Sequence, residues 1–516
     1  MTASESARQS RRTGGRAGRA ERRSTAAHVQ APAILTRKIP TYELLGEEAL
    51  TKIEAHDDWI LKEVGVEFRG DVEALGLFKA AGASVDGERV RLDAGHARAL
   101  CATAPSVFTM EGRDPSRSIR LGGDHVVLMP SYGPPFVSDL DKGGRYATLE
   151  DFQNFVKLAY MTRYLNHSGG TVCEPVDIPV NKRHLDMVYA HLRLSTKPFM
   201  GAVTAPERAE DSIAMARIVF GDGYLEDHCV IQGNINVNSP LVYDDVMSSS
   251  LKAYARANQS CVISPFILGG AMGPVTQPAL LAQSHAEAMV GIALSQLVRK
   301  GSPMVYGNFL STMNLKTGAP TFGTPEANLS SFAIGQLCRR LGLPLRTGGQ
   351  LCASKVADAQ AMQEATNPML AGVLAGSNFL FHSAGWLEGG LTMGYEKFVM
   401  DLDHCGMMLK MMCGFEIDDN ALAGDAFIEA GPGVNFFGTA HTMKNFETAN
   451  YMSDMADTSS FEQWSVAGSP TMEQRANKRW KNMLAEYKRP AMDEAVDEAL
   501  QDFIARKKQS MPDAWH

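Results

Sequence analysis

Eight short apolar runs alternate with eight helical runs over about 290 residues, and nothing else in this 516-residue chain constrains its fold as strongly. The strand-like runs are VVLMPS (126–131), LNHSGG (165–170), PFMGAV (198–203), CVIQGNI (229–235), CVISPF (261–266), PMVYGN (303–308), PLRTGG (344–349) and NFLFHS (378–383). Helical patterns begin near 148, 181, 206, 243, 276, 325, 355 and 396. Alternating β and α requires a parallel sheet, and eight repeats close most economically into a (β/α)8 TIM barrel. The alternative, an open doubly wound sheet, usually carries a glycine-rich dinucleotide loop after its first strand; no G-x-G-x-x-G occurs here. Several helix starts are marked locally. Thr148 precedes Glu150 and Asp151 as an N-cap, and Pro278 and Pro325 stand in first turns, where a missing N–H costs nothing.

The flanks follow other patterns. Leu44, Leu45, Leu50, Ile53, Ile60, Leu61 and Val64 put a helix over Thr41–Gly65, and Val72–Ala81 continues as a second. Asp86-Gly87 between Ser84-Val85 and Arg89–Leu92 reads as a hairpin, and Ala94–Ala104 as a short helix. After the barrel comes Gly431-Pro432-Gly433, then two charged amphipathic helices within Met472–Lys508, around Arg489-Pro490. The expected organisation is a disordered basic arm (1–30), an N-terminal α+β cap (31–122), the barrel (123–416) and a C-terminal helical extension packed on it (417–516).

Charge narrows the function. Residues 1–25 hold seven Arg and two Glu, so the remainder of a chain of net charge −8 carries −13. An acidic body argues against a nucleic-acid face, which needs clustered cations. The basic end lacks the apolar segment of a secretory signal, and no run reaches the ~18 apolar residues of a membrane span. Eight cysteines include no C-x-x-C pair, so they read as small core residues of a cytoplasmic protein.

In a barrel the chemistry sits at the C-terminal ends of the strands. The loops there offer Tyr132, His167, Gln232, Asn234, Asn236, Tyr306, Asn308, Gln350, Phe381, His382, Trp386 and Glu388. Few are ionisable. There is no carboxylate pair for glycoside hydrolysis, no lysine at a phosphate loop and no metal quartet. A weakly charged pocket rich in aromatic rings suits a cation without hydrogen-bond donors, such as a quaternary ammonium. Each residue also has a plainer reading. A histidine after a strand is commonly structural, the alternating asparagines 234, 236 and 238 fit one polar strand face, and Trp386 fits packing.

At these loops the sequence resembles the trimethylamine methyltransferase family, in its branch without pyrrolysine. The segments that carry the resemblance are Gly133-Pro134-Pro135 with Asp139-Leu140-Asp141, EPVDIPVNKRHLDMVYAHL (174–192), KPFMG (197–201), SKVADAQA (354–361), HSAGWLEGGLTMGYEKFVMD (382–401) and GPGVNFFGTAHT (431–442), with AGASVDGERVRL (81–92) nearer the start. The resemblance covers about 30–510. It implies a TIM-barrel enzyme that takes a methyl group from a quaternary or tertiary methylated amine such as glycine betaine. The acceptor would be Co(I) of a corrinoid carried by a separate small protein docked at the barrel mouth, with 431–442 bordering it. The pyrrolysine position falls near Gly348–Lys355, which places Gln350 or a neighbour there. Glu388, His382 and Gln350 are then the catalytic candidates, and Tyr132, His167, Gln232, Asn234, Asn236, Tyr306, Asn308, Phe381 and Trp386 the substrate-binding ones. No tightly bound metal, nucleic acid or membrane is expected, and a homo-oligomer is possible on fold grounds. Two other readings remain open: a folate or other acceptor, and a betaine-binding barrel without turnover.

Overall fold

The structure, a computed structural model, describes residues 35–515, so the basic arm expected at 1–30 lies outside the described residues. Seven parallel strands run β1 (His125–Leu128), β2 (Phe199–Met200), β3 (Ile231–Val237), β4 (Ser260–Gly269), β5 (Met304–Gly307), β6 (Leu345–Gly348) and β7 (Phe379–Phe381). Each pairs with the next from β2 to β7, and β7 pairs with β1.

The eighth position, between β1 and β2, is filled by residues 165–170, which hydrogen-bond to both neighbours without forming a regular ladder. Asn166 N–H donates to the Leu128 carbonyl at 3.2 Å, Ser168 N–H to that of Pro198 at 2.8 Å, and Met200 N–H to that of Gly169 at 2.8 Å. The Asn166 side-chain oxygen takes the Leu128 N–H at 2.8 Å. A side chain thus replaces one backbone acceptor, and Gly169 at φ 96° bends the chain where a regular strand would continue. The sheet closes around these bonds as a TIM barrel.

All eight expected helices form: α1 (Leu149–Met161), α2 (Arg183–Leu194), α3 (Pro206–Phe220), α4 (Asp245–Arg256), α5 (Gln277–Val298), α6 (Pro325–Leu341), α7 (Ala359–Ala375) and α8 (Tyr395–Met412). Thr148 caps α1 in a full capping box with Asp151. Successive strand residues point to opposite faces. Ile231, Ile235, Cys261, Ile263, Met304 and Leu345 therefore pack outward under the helices. Val127, Met200, Val262, Val305, Phe379 and Phe381 point inward.

The barrel floor is plugged by an antiparallel hairpin, Val107–Met110 with Ile119–Gly122. Its Met110, Ile119 and Leu121 join the inward apolar cluster. Upstream, helices Glu47–Trp59, Val72–Ala80 and His96–Cys101 pack against α5, which leaves that helix buried from Leu280 to Gln296. The first of them starts six residues later than periodicity suggests. Gln336 Oε1 accepts the backbone N–H groups of Leu44 and Leu45 at 3.1 and 2.9 Å, holding that stretch extended against α6. The hairpin expected around Asp86-Gly87 forms, with Val85 opposite Val90. Helices Met472–Glu486 and Glu494–Gln509 pack on the outside of the barrel. Seven cysteines are buried thiols and Cys413 is exposed.

The irregular eighth position is held from behind by Lys197. Its buried ammonium donates to the carbonyls of Ala159, Thr162 and Leu165 at 2.7, 2.9 and 2.6 Å. Lys197→Met keeps the stem but orphans three buried acceptors. An unmet buried acceptor costs ~1–3 kcal/mol, so this variant should lose about 3–6 kcal/mol in a denaturant titration. An unchanged midpoint would contradict the assignment.

Candidate active site

The inward faces of the strands grade from apolar to polar along the barrel axis. On β3, Gln232 and Asn234 are buried, whereas Asn236 is exposed, so the barrel opens to solvent at the strand C-termini. Gln232 Nε2 donates to Ser260 Oγ at 2.8 Å, and its Oε1 has no partner among the described residues. Asn234 accepts from Ser264 Oγ at 2.9 Å and donates to Asn236 Oδ1 at 3.2 Å. Asn234 and Asn236 therefore form a polar strand face on the inside of the barrel.

Opposite stand the aromatic residues. His167 meets Phe379 edge to face with centroids 5.2 Å apart, and Phe379 meets Phe381 at 4.6 Å. The His167 Nδ1 accepts the Gly169 N–H at 3.0 Å, which puts the proton on Nε2, a buried donor with no partner. Burial, then His191 and Lys197, hold this imidazole well below its usual pKa. Tyr132 lies beside the cluster with its phenol pushed upward by burial.

Arg346, on β6, is the centre of the site, although loop position did not single it out. It is 2 % exposed, and its guanidinium carbon lies 4.3 Å from the Phe381 ring centroid and 4.9 Å from that of Phe309. One Nη donates to the Asn308 carbonyl at 2.8 Å and the other lies 3.0 Å from His382 Nε2, while Nε is unpartnered. No carboxylate forms an ion pair with it among the described residues. Burial alone lowers its pKa to about 9.

His382 adopts a left-handed backbone, φ 57°, uncommon outside glycine. Its Nδ1 receives the Tyr132 N–H at 3.3 Å and its Nε2 faces the Arg346 donor. Burial and the neighbouring guanidinium keep the ring neutral, with a pKa well below the usual value. A neutral imidazole has one acceptor nitrogen, so no tautomer satisfies both donors. An anionic oxygen accepting from Arg346 and from His382 Nε2–H resolves that conflict.

Above this pair lies an aromatic cluster. His382 and Trp386 stand 4.3 Å apart, Trp386 and Phe322 5.6 Å, and Phe309 and Phe322 6.2 Å. Trp386 is held by its indole N–H on the Cys352 carbonyl at 3.1 Å. Glu388, at φ 54°, follows on the same turn and accepts from Thr392 at 2.8 Å.

Two expected site residues face the other way. Tyr306 points out of the barrel, and its hydroxyl meets His285 Nδ1 at 2.9 Å under α5. Residues 305 and 307 hold the inward phase of β5, which sends 306 to the helices. Gln350 also turns away from the cavity. Its amide donates to the Ser383 and Asp401 carbonyls at 2.6 and 2.9 Å, and its oxygen meets His404 Nδ1 at 2.8 Å. It ties the β6 and β7 loops to α8 and is a positioning group. The Asn308 side chain caps the Leu310 N–H at 3.2 Å, so only its backbone carbonyl serves the site, through Arg346. Phe309 and Phe322 were not among the expected residues. Arg346 carried one signal, a lone charge inside the apolar run PLRTGG, in phase with Gly348. Among the described residues no group of three His, Cys, Asp or Glu side chains could hold a metal.

Tyr306→Phe should leave the KM and kcat of the enzyme unchanged while costing ~1 kcal/mol of stability for the lost hydrogen bond. A raised KM with unchanged stability would return Tyr306 to the pocket.

The trimethylamine methyltransferase family model matches residues 11–512. The glycine betaine methyltransferase of Desulfitobacterium hafniense is 39% identical over 470 residues, covering 91% of this chain and 98% of its own. Two other relatives are more distant, each 27% identical. The trimethylamine methyltransferase MttB of D. hafniense covers 89% of this chain and 92% of its own, and the proline betaine:corrinoid methyltransferase of Eubacterium limosum covers 86% and 93%. This chain belongs to the trimethylamine methyltransferase family.

Proposed function

We propose that this methyltransferase takes a methyl group from a quaternary amine that bears a carboxylate, glycine betaine first among them, and passes it to Co(I) of a corrinoid held by a separate small protein in the cytoplasm. The observation that carries the substrate class is Arg346. A buried guanidinium without a counter-charge is costly, and an arginine fork matches a carboxylate. Trimethylamine has no group to answer it; a betaine does. The carboxylate would accept from Arg346 and His382, and His167 Nε2–H is a further unused donor. The trimethylammonium end would lie against Phe309, Phe322 and Trp386, whose faces attract a cation. The half-exposed Glu388 adds a carboxylate at the edge of this cluster.

The chemistry asks little acid–base work of the protein. The methyl carbon transfers as its bond to nitrogen breaks, and nitrogen keeps the electron pair, leaving as a neutral tertiary amine. No proton must be delivered, which agrees with neutral His167 and His382. The corrinoid supplies the nucleophile; the chain supplies orientation, which is worth a large share of such an acceleration. The partner reaches the substrate from the open side marked by Asn236.

Arg346→Met should lower kcat/KM for glycine betaine by about 100-fold or more, on the scale of a lost charge-assisted pair, mostly through KM. The wild-type enzyme should prefer glycine betaine over choline and trimethylamine in methylation of added cob(I)alamin. Equal use of all three, or a fully active Arg346→Met, would sink the carboxylate assignment. Binding of betaine without any methyl transfer would leave a binding protein. The substrate's carboxylate and ammonium keep their charges at neutral and alkaline pH. Affinity should therefore be flat through neutrality and fall as pH rises past about 9, where free Arg346 loses its proton, with a limiting slope of about tenfold per unit. A break near pH 6.5 would instead implicate an ordinary histidine.

A further inference from the structure

The ring of Trp386 is aimed by two loops laced together, residues 349–358 after β6 and 382–394 after β7. The Cys352 carbonyl accepts the indole N–H at 3.1 Å and the Gly389 N–H at 3.0 Å. The Ser354 carbonyl accepts the Glu388 N–H at 2.7 Å. In return, the Cys352 thiol donates to the Trp386 carbonyl at 3.0 Å. Gly390 abuts the ring itself, where a Cβ would stand 2.5 Å from Trp386 Cη2.

Two carboxylates behind the loops hold this lacing. Glu364, on α7, accepts the N–H groups of Ala353 and Ser354 at 2.7 and 3.1 Å. The Ala353 N–H and the Cys352 carbonyl belong to one planar peptide group, with donor and acceptor on opposite sides. The carboxylate that takes the N–H therefore points the carbonyl at the indole. Asp401, on α8, takes the Gly385 N–H at 2.9 Å. The carbonyl of that same peptide, on Ala384, accepts the Ser131 N–H at 3.0 Å and its hydroxyl at 2.8 Å, which fixes the peptide just ahead of Trp386. The other oxygen of Glu364 accepts from Gln360 at 2.9 Å, and that of Asp401 pairs with Lys397. Both carboxylates are thus engaged at both oxygens, in charge-assisted bonds about twice as strong as neutral ones. Neither stands on a loop at the barrel mouth, so loop position does not find them.

We infer that Glu364 and Asp401 are positioning residues for methyl transfer: acting through the backbone, they hold the Trp386 ring and with it the direction of the reacting N–CH3 bond. The inference rests on the proposed reading of the aromatic cluster as the seat of the trimethylammonium end. Arg346 would grip the far end of the substrate and govern mainly how tightly it binds. The ring would govern where the methyl group points, and a misplacement of ~1 Å can cost on the order of 100-fold in rate. Loosening the ring should therefore lower kcat more than it raises KM, the opposite of the pattern expected for Arg346.

Glu364→Met removes the acceptor at similar length, whereas Glu364→Gln returns an oxygen to the two N–H groups. With glycine betaine and added cob(I)alamin, Glu364→Met should lower kcat about 10- to 100-fold while KM moves less than about threefold, and Glu364→Gln should recover most of the loss. The charge-balanced pair Lys397→Met/Asp401→Leu should behave as Glu364→Met does, and Lys397→Met/Asp401→Asn as Glu364→Gln does. The seat of the ring is also read without turnover, from the part of the tryptophan emission that Trp386→Phe removes. That component should shift in the Met and Leu variants and return in the Gln and Asn variants. Folded Met and Leu variants with wild-type kcat, or with an unshifted Trp386 component, overturn the inference. So does an equal loss in the Met and Gln variants that tracks a lowered melting temperature, the mark of a tie needed only for folding. If one set of variants does not fold, the other decides. A wild-type enzyme inactive on every betaine would sink the substrate reading, and the emission measurement would still decide whether the two carboxylates hold the ring.

Discussion

A charge buried without its opposite organises this barrel. Arg346 sits on β6 between the rings of Phe309 and Phe381, with a backbone carbonyl and a neutral imidazole as its neighbours and, among the described residues, no carboxylate paired to it. Such an arrangement costs stability in the free protein, and a bound anion would offset that cost. Much of the surrounding architecture holds it in place. The left-handed turn at His382 aims an imidazole at it, and Gln350 anchors that turn by binding the Ser383 carbonyl. The buried Lys397–Asp401 pair on α8 fixes the next turn, since Asp401 also takes the Gly385 N–H at 2.9 Å.

The same arrangement separates two tasks. On the proposed function, the wall carrying Arg346 and His382 would recognise the end of the substrate that does not react. The aromatic cluster of Phe309, Phe322 and Trp386 would receive the end that does. A leaving amine that departs neutral would need no proton, and histidines kept unprotonated by burial would not repel the ammonium. On that reading the barrel would work by position and electrostatics, with the nucleophile brought from outside.

How much of this was legible in the sequence depends on whether the information was local. Thr148, Pro325 and the Asp86-Gly87 turn act within a few residues, and each forms what its pattern implied. His167, Gln232, Phe381, His382 and Trp386 could be named as candidates because barrel loops follow strands. Tyr306 and Gln350 stood in equally plausible loops but face outward, because the phase of a strand is set by which neighbour fills the core. Leu44 and Leu45 have helical periodicity but are held extended by Gln336, 291 residues away in sequence from Leu45. The irregular segment at 165–170 similarly owes its shape to the Asn166 side chain and to Lys197, neither of which a local pattern reveals.

By itself, the sequence determined the eightfold alternation, the barrel, the loops that would carry chemistry and a resemblance strong enough to name a family. Those depend on periodicity, propensity and motif, which act along the chain. Only the tertiary structure decided that, among the described residues, Arg346 lacks a counter-charge and 415–450, with the stretch 431–442 expected at the mouth, finds no polar or ring partner on the barrel, and that Phe309 and Phe322 complete the aromatic cluster. Each of these is a statement about what does or does not stand across a gap in space. Burial makes such gaps energetically decisive, and the chain order does not record them.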